Sequence, residues 1–139
     1  MIGKSDDEGF YVDDEHASVE DFNATIAKAI TSINEFVDNM QGPPTAKGIN
    51  QTTRWITTKE NHATNIQHIV SQYFLTQRIK SSNDKYVDQL KAAHAVMVAA
   101  MKCKQDADPA TAETLKNAIY DLYRAYEGKE PVLEHDHKD

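Results

Sequence analysis

Three histidines in the middle of the sequence are the first candidates for chemistry, because imidazole can move protons or bind a metal near neutral pH. His62, His68 and His94 fall in two stretches that have the pattern of neighbouring helices joined by a turn near Ser82. In an antiparallel pair with that turn, residues whose numbers sum to about 164 lie level, so His62 and His94 stand roughly 12 Å apart along the axis. One metal cannot bridge that separation. We therefore predict no metal site and no catalytic residue on these helices.

The single cysteine is the second candidate. Cys103 lies between Lys102 and Lys104, whose charges could make the thiol more reactive, but we interpret it as an ordinary helical thiol. It can form no internal disulfide, which suits a reducing compartment, so we expect a cytoplasmic protein. His135-Asp136-His137 could hold a metal loosely, but we interpret this segment as part of a solvated terminus. No glycine-rich phosphate loop or nucleophile elbow occurs in the sequence, and no cofactor is predicted.

Four stretches of the sequence have the pattern of amphipathic helices, because their hydrophobic residues recur at steps of three and four. The predicted helices span about 18–40, 57–80, 84–105 and 109–127. Ser18, a Thr57-x-x-Glu60 capping box and Asp108-Pro109 are typical helix starts, and Gly42-Pro43-Pro44 breaks the chain after the first helix. The sequence therefore predicts an all-α antiparallel bundle of about four helices over residues 18–128.

The third predicted helix is rich in alanine, so a neighbouring helix could approach it closely on more than one side. Its predicted buried stripe consists of Val87, Leu90, His94, Met97 and Met101.

The charge of the chain is concentrated at its N-terminus. The net charge is −7, and the first 21 residues alone hold eight acidic side chains against Lys4. We predict a flexible acidic arm over residues 1–17 and a polar tail over 129–139, because neither segment has enough apolar surface to order itself. Basic residues outnumber acidic ones over residues 52–104, but they are spread around two helices, so nucleic-acid binding is not expected. No apolar run is long enough to cross a membrane, and no membrane partner is expected.

These features favour a non-enzymatic helical module for protein–protein interaction or assembly, either homo-oligomeric or part of a larger complex. Phe10 and Tyr11 stand between two acidic triplets and are predicted to dock into an apolar groove of another subunit or partner. The other predicted contact residues are of types that are common at binding hot spots: Arg54, Trp55, Tyr120, Tyr123 and Arg124.

An alternative hypothesis is a bundle that binds a small ligand or a nucleotide-like anion. Its binding residues would be the basic and aromatic side chains near helix ends: Arg54, Trp55, Arg78 and Lys80. Small helical proteins of this kind are frequent in phages and mobile elements, which makes such an origin a further hypothesis.

Overall fold

A computed structural model describes the backbone of residues 10–128 and the side chains of residues 17–128. The elements are α1 (Phe10–Asp38), α2 (Ala46–Ile69), α3 (Tyr86–Gln105) and α4 (Pro109–Glu127), and α2 continues directly into a π-helical segment, Val70–Arg78. No strand occurs within residues 10–128, so the predicted all-α four-helix architecture is confirmed. Within the same residues, no helix is long and apolar enough to cross a membrane.

The four helices run antiparallel to their neighbours in chain order, because each pair is in contact at two levels and the residue numbers rise on one helix as they fall on the other. Gln67 Nε2 on α2 donates to the carbonyl of Met97 on α3 at 3.1 Å. Their numbers sum to 164, the value expected for a turn near Ser82. Gln89 Nε2 on α3 donates to the carbonyl of Ala125 on α4, also at 3.1 Å. Asn23 Nδ2 on α1 closes the bundle by donating to the carbonyl of Ala112 on α4 at 3.2 Å.

Two helices begin earlier than the sequence predicted. The backbone is helical from Phe10, so residues 10–17 belong to α1 rather than to a flexible arm. The second helix begins at Ala46 rather than near residue 57, because Thr45 caps it by accepting a hydrogen bond from the backbone N–H of Gly48 at 3.0 Å. Gly48 allows the α1–α2 connection to close, since a Cβ there would lie 2.6 Å from the Phe36 ring.

The core lies between all four helices and is built from large aliphatic side chains around one phenylalanine. Its largest fully buried members include Phe74, Ile26, Ile30, Ile66, Leu115 and Ile119. Phe74 packs edge-on against the rings of Tyr73 and Tyr126, with ring centroids 5.0 and 5.5 Å apart.

The third helix buries a different face from the predicted one. Its buried residues are small or polar: Gln89, Ala93, Val96, Ala99, Ala100 and Cys103. Val87 and Met101 are 58% and 40% exposed, and His94 is also exposed. The predicted stripe was wrong at Val87, His94 and Met101, whereas Leu90 and Met97 are half-buried and pack against the core. The alanines of the buried face were missed because alanine carries little hydropathy signal, although its small side chain is what lets α3 lie close to its neighbours.

Candidate functional site

The histidines of the bundle do not form a common site. His62 is half-buried, its Nδ1 donates to the carbonyl of Thr58 at 2.9 Å, and its ring stands edge-on to Phe22. His68 and His94 are exposed on separate helices. Across the part of the chain that the structure describes, no group of three His, Cys, Asp or Glu side chains could hold a metal ion.

The thiol of Cys103 is sealed inside the bundle. Its side chain is fully buried, and Sγ donates to the carbonyl of Thr111 on α4 at 3.4 Å. Burial raises the pKa of the thiol above its ordinary value, and the hydrogen bond to Thr111 and the charge of Lys59 offset this increase only in part. A protonated, inaccessible thiol is neither a nucleophile nor a ready metal ligand.

Lys59 is a buried charged residue that the sequence analysis did not single out. It is 3% exposed, and its Nζ donates to the carbonyls of Cys103 and Lys104 at the end of α3. These carbonyls lack partners within their own helix and lie at the negative end of its dipole, so an ammonium group suits them. One sequence signal was present: Lys59 continues the α2 spacing of Ala63, Ile66 and Val70. Lys59 therefore ties α2 to α3 instead of contributing to a basic surface.

The four residues of the predicted anion site do not come together. Arg54 and Trp55 lie in the first half of α2, and Trp55 lines an open groove of about 680 Å³ with Phe36 and Met40. Arg78 ends the π-helical segment, more than about 30 Å away along the same helix. Its Nε donates to the hydroxyl of Tyr126 at 2.6 Å, and its guanidinium lies 5.7 Å from the Tyr73 ring centroid.

Arg78 thus serves packing at one end of the bundle. Burial raises the pKa of the Tyr126 hydroxyl, and the hydrogen bond and charge of Arg78 lower it in part. Lys80 is exposed just beyond the π-helical segment. The hypothesis of one binding site formed by these residues together with Arg54 and Trp55 is wrong, because a single small ligand cannot span the length of α2.

The aromatic residues of α4 are core residues rather than contact residues. Tyr120 and Tyr123 are only 9% and 7% exposed, so their assignment to an interaction surface was wrong. Arg124 is exposed and pairs with Asp121 at 2.8 Å. The ammonium group of Lys116 lies 6.0 Å from the centroid of the Tyr120 ring. The side chains of Phe10 and Tyr11 lie outside the described residues.

Comparison with known proteins assigns the chain to a family, which the residues of the bundle alone do not. A family model for nickel-containing superoxide dismutase matches residues 9–130, which include all four helices. No curated protein and no solved structure matches the chain. The family match overturns both the prediction of a non-enzymatic interaction module and the prediction that the chain is not an enzyme. The chain belongs to the nickel-containing superoxide dismutase family.

Proposed function

We propose that this protein is a superoxide dismutase whose helical bundle is a scaffold and whose metal is bound by donors outside residues 17–128. The reaction converts two superoxide anions and two protons into dioxygen and hydrogen peroxide, and a bound redox-active metal supplies the electron transfer. The observation that carries the proposal is the family match over residues 9–130. The proposal includes a cytoplasmic location, because a single cysteine that can form no internal disulfide suits a reducing compartment.

The described bundle does not fit a nickel ion. His62 donates Nδ1–H to the Thr58 carbonyl. His94 on α3 is displaced from His62 by about eight residues along the helix axes, which is roughly 12 Å. Cys103 is buried and hydrogen-bonded, so it is not available as a thiolate. No step of the reaction is therefore assigned to a residue of the bundle.

The donors that remain are oxygen and imidazole groups. His16, His135 and His137 lie in the sequence on either side of the residues whose side chains are described, together with many carboxylates. Imidazole suits nickel, carboxylate suits harder cations such as manganese, and no second cysteine exists to supply a thiolate. In this antiparallel bundle, the beginning of α1 and the end of α4 lie at the same end.

The experiment measures superoxide consumption by the full chain after nickel loading, with the bound metal counted in the same sample. We expect about one nickel per chain and activity above that of free nickel at equal concentration. The double variant His135→Ala and His137→Ala should lose nickel, whereas His94→Ala, an exposed histidine of the bundle, should keep it. Absence of superoxide consumption by the nickel-loaded chain would contradict the proposed function.

A further inference from the structure

A hollow of about 420 Å³ opens at the end of the bundle where α3 begins and α4 ends. Its walls come from three parts of the chain: the turn at residues 83–85, the first turn of α3 and the last two turns of α4. This volume lies within the range of sites that bind small molecules. We call this space the α3/α4 hollow.

Gln89 brings a buried hydrogen-bond acceptor to the α3/α4 hollow. The residue is 4% exposed, and its Nε2 donates to the carbonyl of Ala125 at 3.1 Å. Because Ala125 also lines the hollow, the amide end of the Gln89 side chain borders it. Oε1 is buried and accepts no hydrogen bond within the part of the chain that the structure describes. A buried acceptor of this kind is costly, so the group that suits it is a ligand with an N–H donor.

The charges around the α3/α4 hollow favour a cation. Four acidic and two basic residues line it, which gives a net charge of −2: Asp84, Lys85, Asp88, Asp121, Arg124 and Glu127. Arg124 and Asp121 neutralise each other in an ion pair at 2.8 Å. Asp84 and Asp88 form no ion pair with any residue of 17–128. The last carbonyls of α4 add the negative end of its dipole, whereas Asp88 already offsets the positive end of α3.

A compact metal ion does not suit this arrangement. Among the described residues, no three His, Cys, Asp or Glu side chains converge closely enough to hold one. The acidic side chains are instead distributed around a hollow, together with one amide oxygen. Acceptors that are distributed in this way match a longer organic cation, which carries N–H donors at more than one point.

We propose that the α3/α4 hollow binds a short alkyl diammonium ion. One ammonium group donates a hydrogen bond to Oε1 of Gln89, and the two positive charges balance the net charge of −2 on the lining residues. An ammonium group has three N–H donors, so it can contact a carboxylate as well as the amide oxygen. Lys85, Asp88 and Arg124 are exposed, so their side chains are free to rearrange around the ligand.

Isothermal titration calorimetry of the full chain with putrescine, a linear diamine, tests the proposal. We expect about one putrescine per chain. Gln89→Leu should weaken binding about 10-fold or more, because an ammonium group loses its hydrogen bond to a buried oxygen. Gln67→Leu is the matched control: Gln67 also donates to a carbonyl of the next helix at 3.1 Å, but it does not line the hollow. Its replacement should leave the affinity unchanged.

A second variant and a second ligand separate charge from hydrogen bonding. Asp88→Asn should bind putrescine several-fold more weakly, because the net charge of the lining residues falls to −1. Asp88 is exposed, so this variant should remain folded, which circular dichroism melts verify. The bis-trimethylammonium analogue of putrescine has the same two charges and no N–H donor, so it should bind at least about 10-fold more weakly than putrescine.

A wild type that does not bind putrescine would overturn the proposal. An analogue that binds as tightly as putrescine would do the same, since binding would then depend on charge alone. Equal binding by Gln89→Leu and the wild type would place the ligand on acidic residues elsewhere, such as those of the first 21 residues, and would also overturn the proposal.

Discussion

Replacing Cys103 separates its packing role from any role in holding a metal. Cys103 is fully buried where α3 meets α4, and Cys103→Ala removes only the sulfur atom. Loss of a buried group of about one methylene costs about 0.8 kcal/mol, and the small cavity left behind adds a cost of similar size. We expect the free energy of unfolding to fall by about 1.5 kcal/mol, which lowers the melting temperature by about 5 °C in a chain of this length.

Urea unfolding and calorimetry measure this loss, and metal analysis of the same preparations measures bound nickel. The variant should bind as much nickel as the wild type. In the folded wild type, the thiol should react with a disulfide reagent only slowly, because the reagent cannot reach a buried sulfur. A Cys103→Ala variant that keeps its stability and loses its nickel would refute the assignment of Cys103 to the core.

Three further predictions concern stability. Lys59→Met should lower the free energy of unfolding by about 1–3 kcal/mol in urea titrations, because the buried carbonyls of Cys103 and Lys104 lose their donor; an unchanged midpoint would contradict this role. Phe74→Ala should cost about 3–5 kcal/mol by the same assay, since the ring is 2% exposed and packs against Tyr126; a loss below 1 kcal/mol would show that the core lies elsewhere. The raised pKa of the Cys103 thiol stabilises the fold fully below the ordinary thiol pKa of about 9. This contribution is lost as the pH rises through the pKa that the thiol has in the folded protein, because the thiol of the unfolded chain releases its proton at a lower pH. Melts above pH 9 should therefore fall more steeply for the wild type than for Cys103→Ala, and parallel curves would contradict this.

The fold was predictable where large apolar side chains mark one face of a helix. Ile26, Ile30 and Ile33 on α1 and Ile66 on α2 are buried as their spacing predicts. The beginning of α2 was missed because the Thr57-x-x-Glu60 pattern looks like a cap, while the actual cap, Thr45, directly follows two prolines. Local patterns cannot decide between two possible caps, because the close approach of Gly48 to the Phe36 ring is a contact with another helix and leaves no local pattern.

The functional residues were harder to predict, for physical reasons that differ from one residue to another. Lys59 is buried because the end of α3 offers it two carbonyls, and such a partner 44 residues away leaves no local pattern. Tyr120 and Tyr123 look like contact residues by type, and only the packing of α4 shows that they are core. The enzyme family was missed because the described bundle contains no cluster of catalytic or metal-binding side chains to find.

Nickel K-edge X-ray absorption of the nickel-loaded full chain tests the central claim most directly, because it identifies the elements bound to the metal. If the nickel lies outside the bundle and its donors come from this chain, the first coordination shell should contain only oxygen and nitrogen, and the spectrum of Cys103→Ala should be identical. Sulfur in the first shell of the wild type, lost in Cys103→Ala, would place the metal inside the bundle and contradict the account.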